Sequence, residues 1–270
     1  MNTNNASIGN LLTAEYQKLK NSPTLYLMLL SGLLVVLIIS LVSMLDVHTL
    51  VLMDENPWKR YLSRATSAFS IFVLGPISIL LVSALIYIEQ QASANKMLYT
   101  LPVSRGRLYF IKLFVLLSLI MMSILIFSFA LLISGHIVGY YYPEFEMGYY
   151  APDYQLIWAN LQKSMLAVLA LVGFQYLLSL YFNNFIFPLA IGLMSFIAGF
   201  LLTASDVKEV QYLPHAYPVM VRDYGMIRSD FLKEIWAAGT VLNPVEQWSI
   251  GLFLLFSLLA YWYETRRNIV

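Results

Sequence analysis

The chain contains six long apolar runs that lack Asp, Glu, Lys and Arg. They cover residues 24–45, 66–88, 113–135, 164–182, 185–204 and 247–263. A helix rises about 1.5 Å per residue, so about 20 apolar residues cross the roughly 30 Å of hydrocarbon in a bilayer. Strands of a membrane barrel alternate apolar with polar residues, and these runs do not. The pattern predicts an all-α polytopic membrane protein with six transmembrane helices in one domain, residues 1–270.

Composition supports a membrane location. Hydrophobic residues make up 60% of the chain, charged residues 11%, and the mean hydropathy is +0.71. Soluble domains carry about 25% charged residues. The net charge of +1 gives no support for binding nucleic acid, and the lack of cysteine excludes disulfides and thiolate metal sites. The first run is longer than a signal-peptide core and no small-residue cleavage site follows it, so we expect a permanent span.

Positive charge gives the expected orientation. An even number of spans places both termini on one side of the membrane. If that side is the cytoplasm, the inner segments are shorter than the outer segments and denser in lysine and arginine. Glu15, Glu89 and Glu264 would then be the inner acidic residues. We expect a multi-pass protein of the cell membrane with both termini in the cytoplasm.

The chain lacks the motifs of common enzymes. Lys163-Ser164 is the one Lys followed by Ser or Thr, and no glycine precedes it, so there is no phosphate-binding loop. The motifs H-E-x-x-H and G-x-S-x-G are also missing. His48, His136 and His215 are scattered, and each is expected at a membrane boundary with a half-hydrated ring. We expect no catalytic or metal-binding residue.

The spans themselves offer no evident site for a coupling ion. Transporters driven by protons or sodium generally carry ionisable groups at membrane depth, and none occurs within these runs. Gly75-Pro76 and Pro188 could break helices and expose carbonyls to sodium, but plain helix kinks are the simpler interpretation. Energy for any transport would therefore come from another subunit.

Residues 7–21 are predicted to form an amphipathic helix in the membrane interface. Apolar residues recur there at three- and four-residue spacing, namely Ile8, Leu11, Leu12, Tyr16 and Leu19. Ser7 is a candidate N-cap, Glu15 can pair with Lys18 one turn later, and Pro23 ends the segment. An ordinary membrane-anchoring flank would have the same pattern.

Residues 89–112 connect the second and third spans. Good helix formers run from Glu89 to Tyr99, Pro102 disfavours helix at the residue before it, and Ser104 can cap the following helix. The segment is therefore predicted to be a compact helix-turn-helix that projects from the membrane. A solvated basic loop that only sets topology is the alternative.

These two segments resemble the permease subunits of type-2 ATP-binding-cassette (ABC) exporters. In that family an interface helix with a Glu and a Lys pair precedes the first span, as Glu15, Lys18 and Lys20 do here. The family connection between spans two and three reads Glu, a Gly-Thr pair, L-x-x-L-P-[VI]-S-R and later Lys. The matching residues are Glu89, Leu98, Leu101, Pro102, Val103, Ser104, Arg105 and Lys112. Ala94-Asn95 replaces the Gly-Thr pair.

The resemblance implies a permease that exports a hydrophobic or amphipathic substrate. Residues 89–112 would form a coupling helix that docks on a separate ABC ATPase subunit, which would bind ATP and Mg²⁺, while this chain binds no cofactor. A second permease copy or a paralogue would complete the pore. The implied ATPase-coupling residues are Glu89, Lys96, Met97, Leu98, Tyr99, Leu101, Pro102, Ser104 and Arg105.

Spans four and five are joined by Asn183-Asn184 alone, so no second coupling loop is available on that side. Ser195 and Gly199 on span five are small enough for close helix contact. That contact could lie within one subunit or at a seam between two permeases. Residues 205–243 are too interrupted to span the membrane, and we expect a re-entrant or surface-lying segment there.

An aromatic cluster at residues 140–158 is predicted on the outer side. Its simplest role is an interfacial belt, and a more specific one is to gather an amphipathic substrate through its rings. The speculative substrate-path residues are Gln175, Tyr141, Tyr149 and Trp158, although Gln175 could instead form an interhelical hydrogen bond. The alternative function is an immunity or sensor protein that binds an antibiotic peptide at the outer face without transport.

Overall fold

The computed structural model describes residues 8–20, 22–45, 56–91, 105–182, 184–221 and 242–266, and no strand occurs in these ranges. The helices are α1 (Ile8–Lys20), α2 (Pro23–Leu45), α3 (Pro57–Phe69), α4 (Gly75–Gln91), α5 (Arg105–Tyr141), α6 (Tyr154–Tyr181), α7 (Ile186–Ala204), α8 (Tyr217–Val221) and α9 (Pro244–Arg266). Six helical segments of this part of the chain are long and apolar enough to cross a membrane. The predicted all-α polytopic fold is confirmed.

Several helices extend beyond their apolar runs. The second begins at Pro57 rather than at residue 66, the third covers 105–141 rather than 113–135, and the fourth begins at Tyr154 rather than at residue 164. Side-chain caps set two of these starts. Asn56 Oδ1 accepts a hydrogen bond from the Trp58 amide at 3.0 Å, and Asp153 Oδ1 accepts one from the Leu156 amide at 2.9 Å. Apolar runs mark the stretch able to cross hydrocarbon, whereas caps mark where helices start.

Helices α3 and α4 form one span through a π-helical turn at Ser70–Leu74. The Gly75 amide donates to the Ser70 carbonyl five residues earlier, and Pro76 next to it has no amide hydrogen. The ring of Phe196 on α7 lies against Gly75 so closely that a Cβ there would collide with it. The helix irregularity predicted at Gly75-Pro76 is therefore a π-turn that also lets α7 approach.

The spans alternate in direction, so the bundle has two ends. The proximal end carries α1 and the residues Glu89, Lys112 and Glu264, and the distal end carries Trp58 and Glu246. Between the ends, α5 packs on both α2 and α3. Ser123 Oγ donates to the Met28 carbonyl at 2.8 Å, and the rings of Phe69 and Phe127 stack with centroids 4.0 Å apart.

Residues 208–221 fold into the bundle after α7. They form the 3₁₀ turns Lys208–Tyr212 and Pro214–Ala216 followed by α8, and residues 215–221 are buried. A Cβ on Gly199 would lie 2.9 Å from the Ala216 Cα, so this small residue serves packing within one subunit. His215 is fully buried, which corrects the expected half-hydrated ring. Residues 222–241 of the interrupted segment lie outside the described residues.

Candidate functional site

Five charged side chains from α1, α4, α5 and α9 meet at the proximal end, and we call them the charge cluster: Glu15, Lys18, Glu89, Lys112 and Glu264. Lys18 Nζ lies 2.7 Å from Glu15 Oε1 and 3.0 Å from Glu89 Oε1. Lys112 Nζ lies 2.6 Å from Glu89 Oε2 and 3.8 Å from Glu264 Oε1. Each carboxylate oxygen of Glu89 therefore forms an ion pair with a different lysine, so this residue of α4 links α1 to α5.

Four members of the cluster are buried, Lys18 is partly exposed, and the cluster contains one more acid than base. Exposed fractions are 3% for Glu15, 5% for Glu89, 3% for Lys112 and 8% for Glu264. A buried ion costs several kcal/mol in lost hydration, so each needs a nearby opposite charge. Burial, and then the negative charge of Glu89, raises the pKa of Glu15, although Lys18 opposes the shift. The geometry of four helices is thus fixed by ion pairs that are costly to separate.

Helix α1 reaches the cluster with a face that the sequence did not predict. Leu11 is buried against Leu108 and the next turn of α5, and Glu15 follows Leu11 on the same side of α1. The Glu15–Lys18 pair predicted from spacing is confirmed. Tyr16, which was predicted on the apolar face, is 53% exposed. The face toward the bundle carries the charged pair because α4 and α5 supply partners for it.

Further hydrogen bonds brace the two ends of the predicted coupling segment. Gln90 Nε2 donates to the Ser179 carbonyl at 3.0 Å and so ties the end of α4 to α6. Arg105 Nη1 donates to the Thr265 carbonyl at 3.2 Å, and Tyr109 Oη donates to the Ser257 carbonyl at 2.8 Å. These two bonds tie the start of α5 to α9. A displacement of residues 92–104 would therefore act on two helices that are hydrogen-bonded to α6 and α9.

The predicted coupling residues fall into two groups. Those outside the described residues are Lys96, Met97, Leu98, Tyr99, Leu101, Pro102 and Ser104, and their role stays a prediction. Glu89 and Arg105 are described, and the structure directs both toward the bundle rather than toward a free surface. Lys20 is exposed at the end of α1. The pairing of Lys112 with both Glu89 and Glu264 was not predicted from the sequence.

Gln175 lies deep in the bundle and is fully buried. Its Nε2 donates to Ser83 Oγ at 2.7 Å and to the Pro188 carbonyl at 2.9 Å, and its Oε1 lies 3.5 Å from His215 Nε2. The amide thus connects α6 with α4, α7 and the 3₁₀ turn before α8. These are interhelical hydrogen bonds, and a role in the substrate path remains a prediction.

The three aromatic residues of the predicted substrate path are exposed at the distal end. Tyr141, Tyr149 and Trp158 all present most of their surface outward. Trp58, which was not predicted as a site residue, is buried and organises this end. Its Nε1 donates to the carbonyls of Met147 and Tyr150, each at 3.1 Å. The available signal was Asn56-Pro57, because a capping Asn followed by Pro marks the start of a helix and so places Trp58 in its first turn.

A second buried ion pair lies at the distal end. Lys163 Nζ is 2.8 Å from Glu246 Oε1, and both side chains are largely buried. The Glu246 carboxylate accepts the Asn243 amide at 2.8 Å while Asn243 Oδ1 accepts the Glu246 amide at 3.0 Å, which caps α9. No group of three potential metal ligands occurs among the described residues.

Comparison with known proteins places the chain in a family. No curated protein matches it. The model of a family described as "ABC-2 family transporter protein" matches residues 11–199, which is well over half of the 270 residues. That match contains most of α1, the charge-cluster residues of α4 and α5, and both ends of the predicted coupling segment. The chain therefore belongs to the ABC-2 family of transporter proteins and is a membrane-embedded permease.

Proposed function

We propose that this permease exports a hydrophobic or amphipathic substrate from the cytoplasm or the membrane, using ATP hydrolysed by a separate ABC ATPase subunit. The charge cluster is the observation that carries the proposal. It joins α1, α4, α5 and α9 at both ends of residues 92–104, whose sequence resembles the coupling motif of the family except at Ala94-Asn95. The proximal end would then face the cytoplasm, with both termini on that side.

The charge cluster suits a mechanical junction. Separating Lys112 from Glu89 would expose two buried ions to a poorly hydrated interior, so the helices that carry them should move together. An ATPase that pushes on residues 92–104 would therefore rotate α4 and α5 as a unit with α1 and α9. In this arrangement Glu89 positions the coupling segment from inside the bundle.

A second permease copy or a paralogue would complete the pathway. Helices α2 and α7 expose apolar residues along much of their length, including Leu30, Leu34 and Met194. Such faces suit lipid or another permease. A passage bounded by two apolar helix faces would favour a hydrophobic or amphipathic substrate over an ion. ATP and Mg²⁺ would bind to the ATPase subunit.

Cysteine chemistry tests the proposed partner and orientation, because the chain has no cysteine of its own. In membranes that hold the whole transporter, we expect the Leu98→Cys variant to cross-link to the ATPase subunit. We expect the Tyr149→Cys variant to react with a membrane-impermeant maleimide in intact cells. Reaction of the Leu98→Cys variant with that reagent in intact cells would place the coupling segment outside and refute the proposal.

A hydrolysis-deficient ATPase subunit separates export from binding without transport. We expect efflux of the substrate, and any resistance it provides, to be lost when the ATPase subunit binds ATP but cannot hydrolyse it. An immunity or sensor protein that only sequesters its ligand would keep its protective effect in the same strain. Retained protection together with unchanged ligand binding would therefore favour that alternative.

A further inference from the structure

An apolar groove of about 710 Å³ opens on the bundle surface between α1, α5 and α9. Leu12 forms one wall and Phe253 another, and Ile111, Phe114 and Leu117 extend along α5 between them. The volume is within the range of about 300–1,000 Å³ typical of small-molecule sites. The groove follows one side of α5 from the proximal end toward the middle of the bundle.

Arg107 is the charged residue among the described residues that line this groove. It is exposed in the first turn of α5, directly before the apolar stretch that starts at Leu108. Lys18 and Lys112 nearby are held by carboxylates, but Arg107 forms no ion pair with any described residue. The groove thus combines an exposed guanidinium at its mouth with an apolar wall that runs about 15 Å along the helix to Leu117.

We propose that this groove binds an anionic phospholipid, with the headgroup phosphate on Arg107 and an acyl chain along α5. A guanidinium matches a phosphate through paired hydrogen bonds, and basic residues between transmembrane helices are suited to lipid headgroups. A zwitterionic lipid carries a cation of its own that would lie near Arg107 and weaken the pairing with the phosphate, and a water-soluble phosphate would leave the apolar wall uncovered. The site is independent of the transported substrate and of the direction of transport.

The bound lipid would hold α1 against the bundle. Leu12 lines the groove, while Leu11 on the same helix packs on Leu108 and Ile111. Glu15 and Lys18 of the same helix belong to the charge cluster. Because a ligand that binds the folded state alone stabilises it by mass action, lipid binding should appear as a rise in melting temperature.

The first test measures melting of the purified full-length chain in uncharged detergent with three additives. These are phosphatidylglycerol, phosphatidylcholine and soluble glycerol phosphate. We expect phosphatidylglycerol to raise the melting temperature at lower concentration than phosphatidylcholine does, and glycerol phosphate to have no effect. Equal responses to the two lipids, or a full response to glycerol phosphate, would overturn the proposal.

Substitutions test whether the preference for phosphatidylglycerol over phosphatidylcholine comes from this groove. Arg107→Gln should lower the affinity for phosphatidylglycerol relative to phosphatidylcholine about fivefold, the contribution of one cation near a charged headgroup. Arg107→Lys should keep most of the preference. Lys20→Gln is the matched control, since it removes an exposed cation at the same end of the bundle but outside the groove. An equal loss in Lys20→Gln would indicate a general charge effect and refute the site.

Photolabelling locates the lipid directly. The chain has a second apolar groove of about 600 Å³ along α2, from Pro23 to Leu34, whose described lining residues include no charge. A phosphatidylglycerol with a photoreactive acyl chain should label residues 110–117 more strongly than the matching phosphatidylcholine does, and Leu117→Trp should reduce that labelling. The α2 groove should show no such preference. A preference confined to α2, or equal labelling of residues 110–117 by both lipids, would contradict the assignment.

Discussion

Replacing Lys112 by methionine tests the energetic role of the charge cluster. Methionine keeps the unbranched apolar stem, so the main loss is the ammonium group. In the native chain Lys112 Nζ lies 2.6 Å from Glu89 Oε2 and 3.8 Å from Glu264 Oε1, and all three side chains are buried. Removing one member of a buried ion pair leaves its partner charged and poorly hydrated, which costs about 3–5 kcal/mol.

A double-mutant cycle separates this pairing energy from general damage. Glu89→Gln in the Lys112→Met background removes a carboxylate that has lost one of its two lysine partners, and Lys18 keeps Glu15 at 2.7 Å. We expect the double variant to be more stable than the sum of the single losses by about 1–3 kcal/mol. Lys163→Met at the distal end is the control, since its effect should add to that of Lys112→Met.

The assay is the free energy of unfolding in mixed micelles, measured by titration with sodium dodecyl sulfate and followed by tryptophan fluorescence. We expect a large loss in the free energy of unfolding for Lys112→Met alone and a clear coupling energy between Lys112→Met and Glu89→Gln. A loss below about 1 kcal/mol would resemble an exposed ion pair and would refute the account of a buried junction. Strict additivity of Lys112→Met and Glu89→Gln would refute it as well.

Three further predictions concern single residues. Burial raises the pKa of Glu15, so over a range of pH the folded state keeps a proton that the unfolded state releases, and stability should rise as the pH falls from above this raised pKa toward about 4.5. The pH dependence of the melting temperature in the native chain minus that in Glu15→Gln measures this contribution, and identical pH dependence in the two proteins would contradict it. Burial lowers the pKa of His215 to about 4, so its effect on stability should have the opposite pH dependence: stability is lost as the pH falls from about 6.5 to about 4. The His215→Asn variant should lack that loss. Gly199→Ala should cost about 1–3 kcal/mol because its methyl would meet the Ala216 backbone, whereas Gly251→Ala, with nothing within 4 Å, should be neutral or gain up to about 1 kcal/mol. Equal unfolding energies for these two glycine variants would refute the close α7 contact.

Local features of the chain could be predicted from its sequence. Burial in hydrocarbon depends on the apolar character of consecutive residues, so six spans can be identified without knowing how they pack. The Glu15–Lys18 pair is equally local because the two residues are one helical turn apart. The irregular helix at Gly75-Pro76 follows from the chemistry of proline, although the sequence favoured a plain kink and the structure has a π-turn.

The charge cluster is not local. Glu89 and Lys112 each lie directly beside an apolar run, so the sequence alone placed them at the two ends of a helix-turn-helix that projects from the membrane. Their burial requires α4, α5 and α9 to meet, and Glu264 comes from the far end of the chain. Opposite charges directly beside apolar runs at the same predicted end of the bundle were the signal that could have suggested their pairing.

The burial of His215 had no comparable signal. His215 belongs to no motif and stands apart from the other two histidines, which led to the expectation of a half-hydrated ring at a membrane boundary. The side chain is buried because the chain after α7 folds back into the bundle, and this requires Gly199 to admit the backbone of Ala216. Such a contact depends on the relative position of two segments rather than on either one.

The most direct test of the account compares transport with ATP hydrolysis in vesicles that contain the permease and its ATPase subunit. The measured quantity is the amount of substrate moved per ATP hydrolysed, for Lys112→Met and for the distal control Lys163→Met, in samples with equal amounts of folded protein. If the charge cluster transmits the motion of the ATPase, Lys112→Met should lower this ratio at least about fivefold while Lys163→Met leaves it unchanged. An unchanged ratio in Lys112→Met, or an equal fall in both variants, would contradict the account.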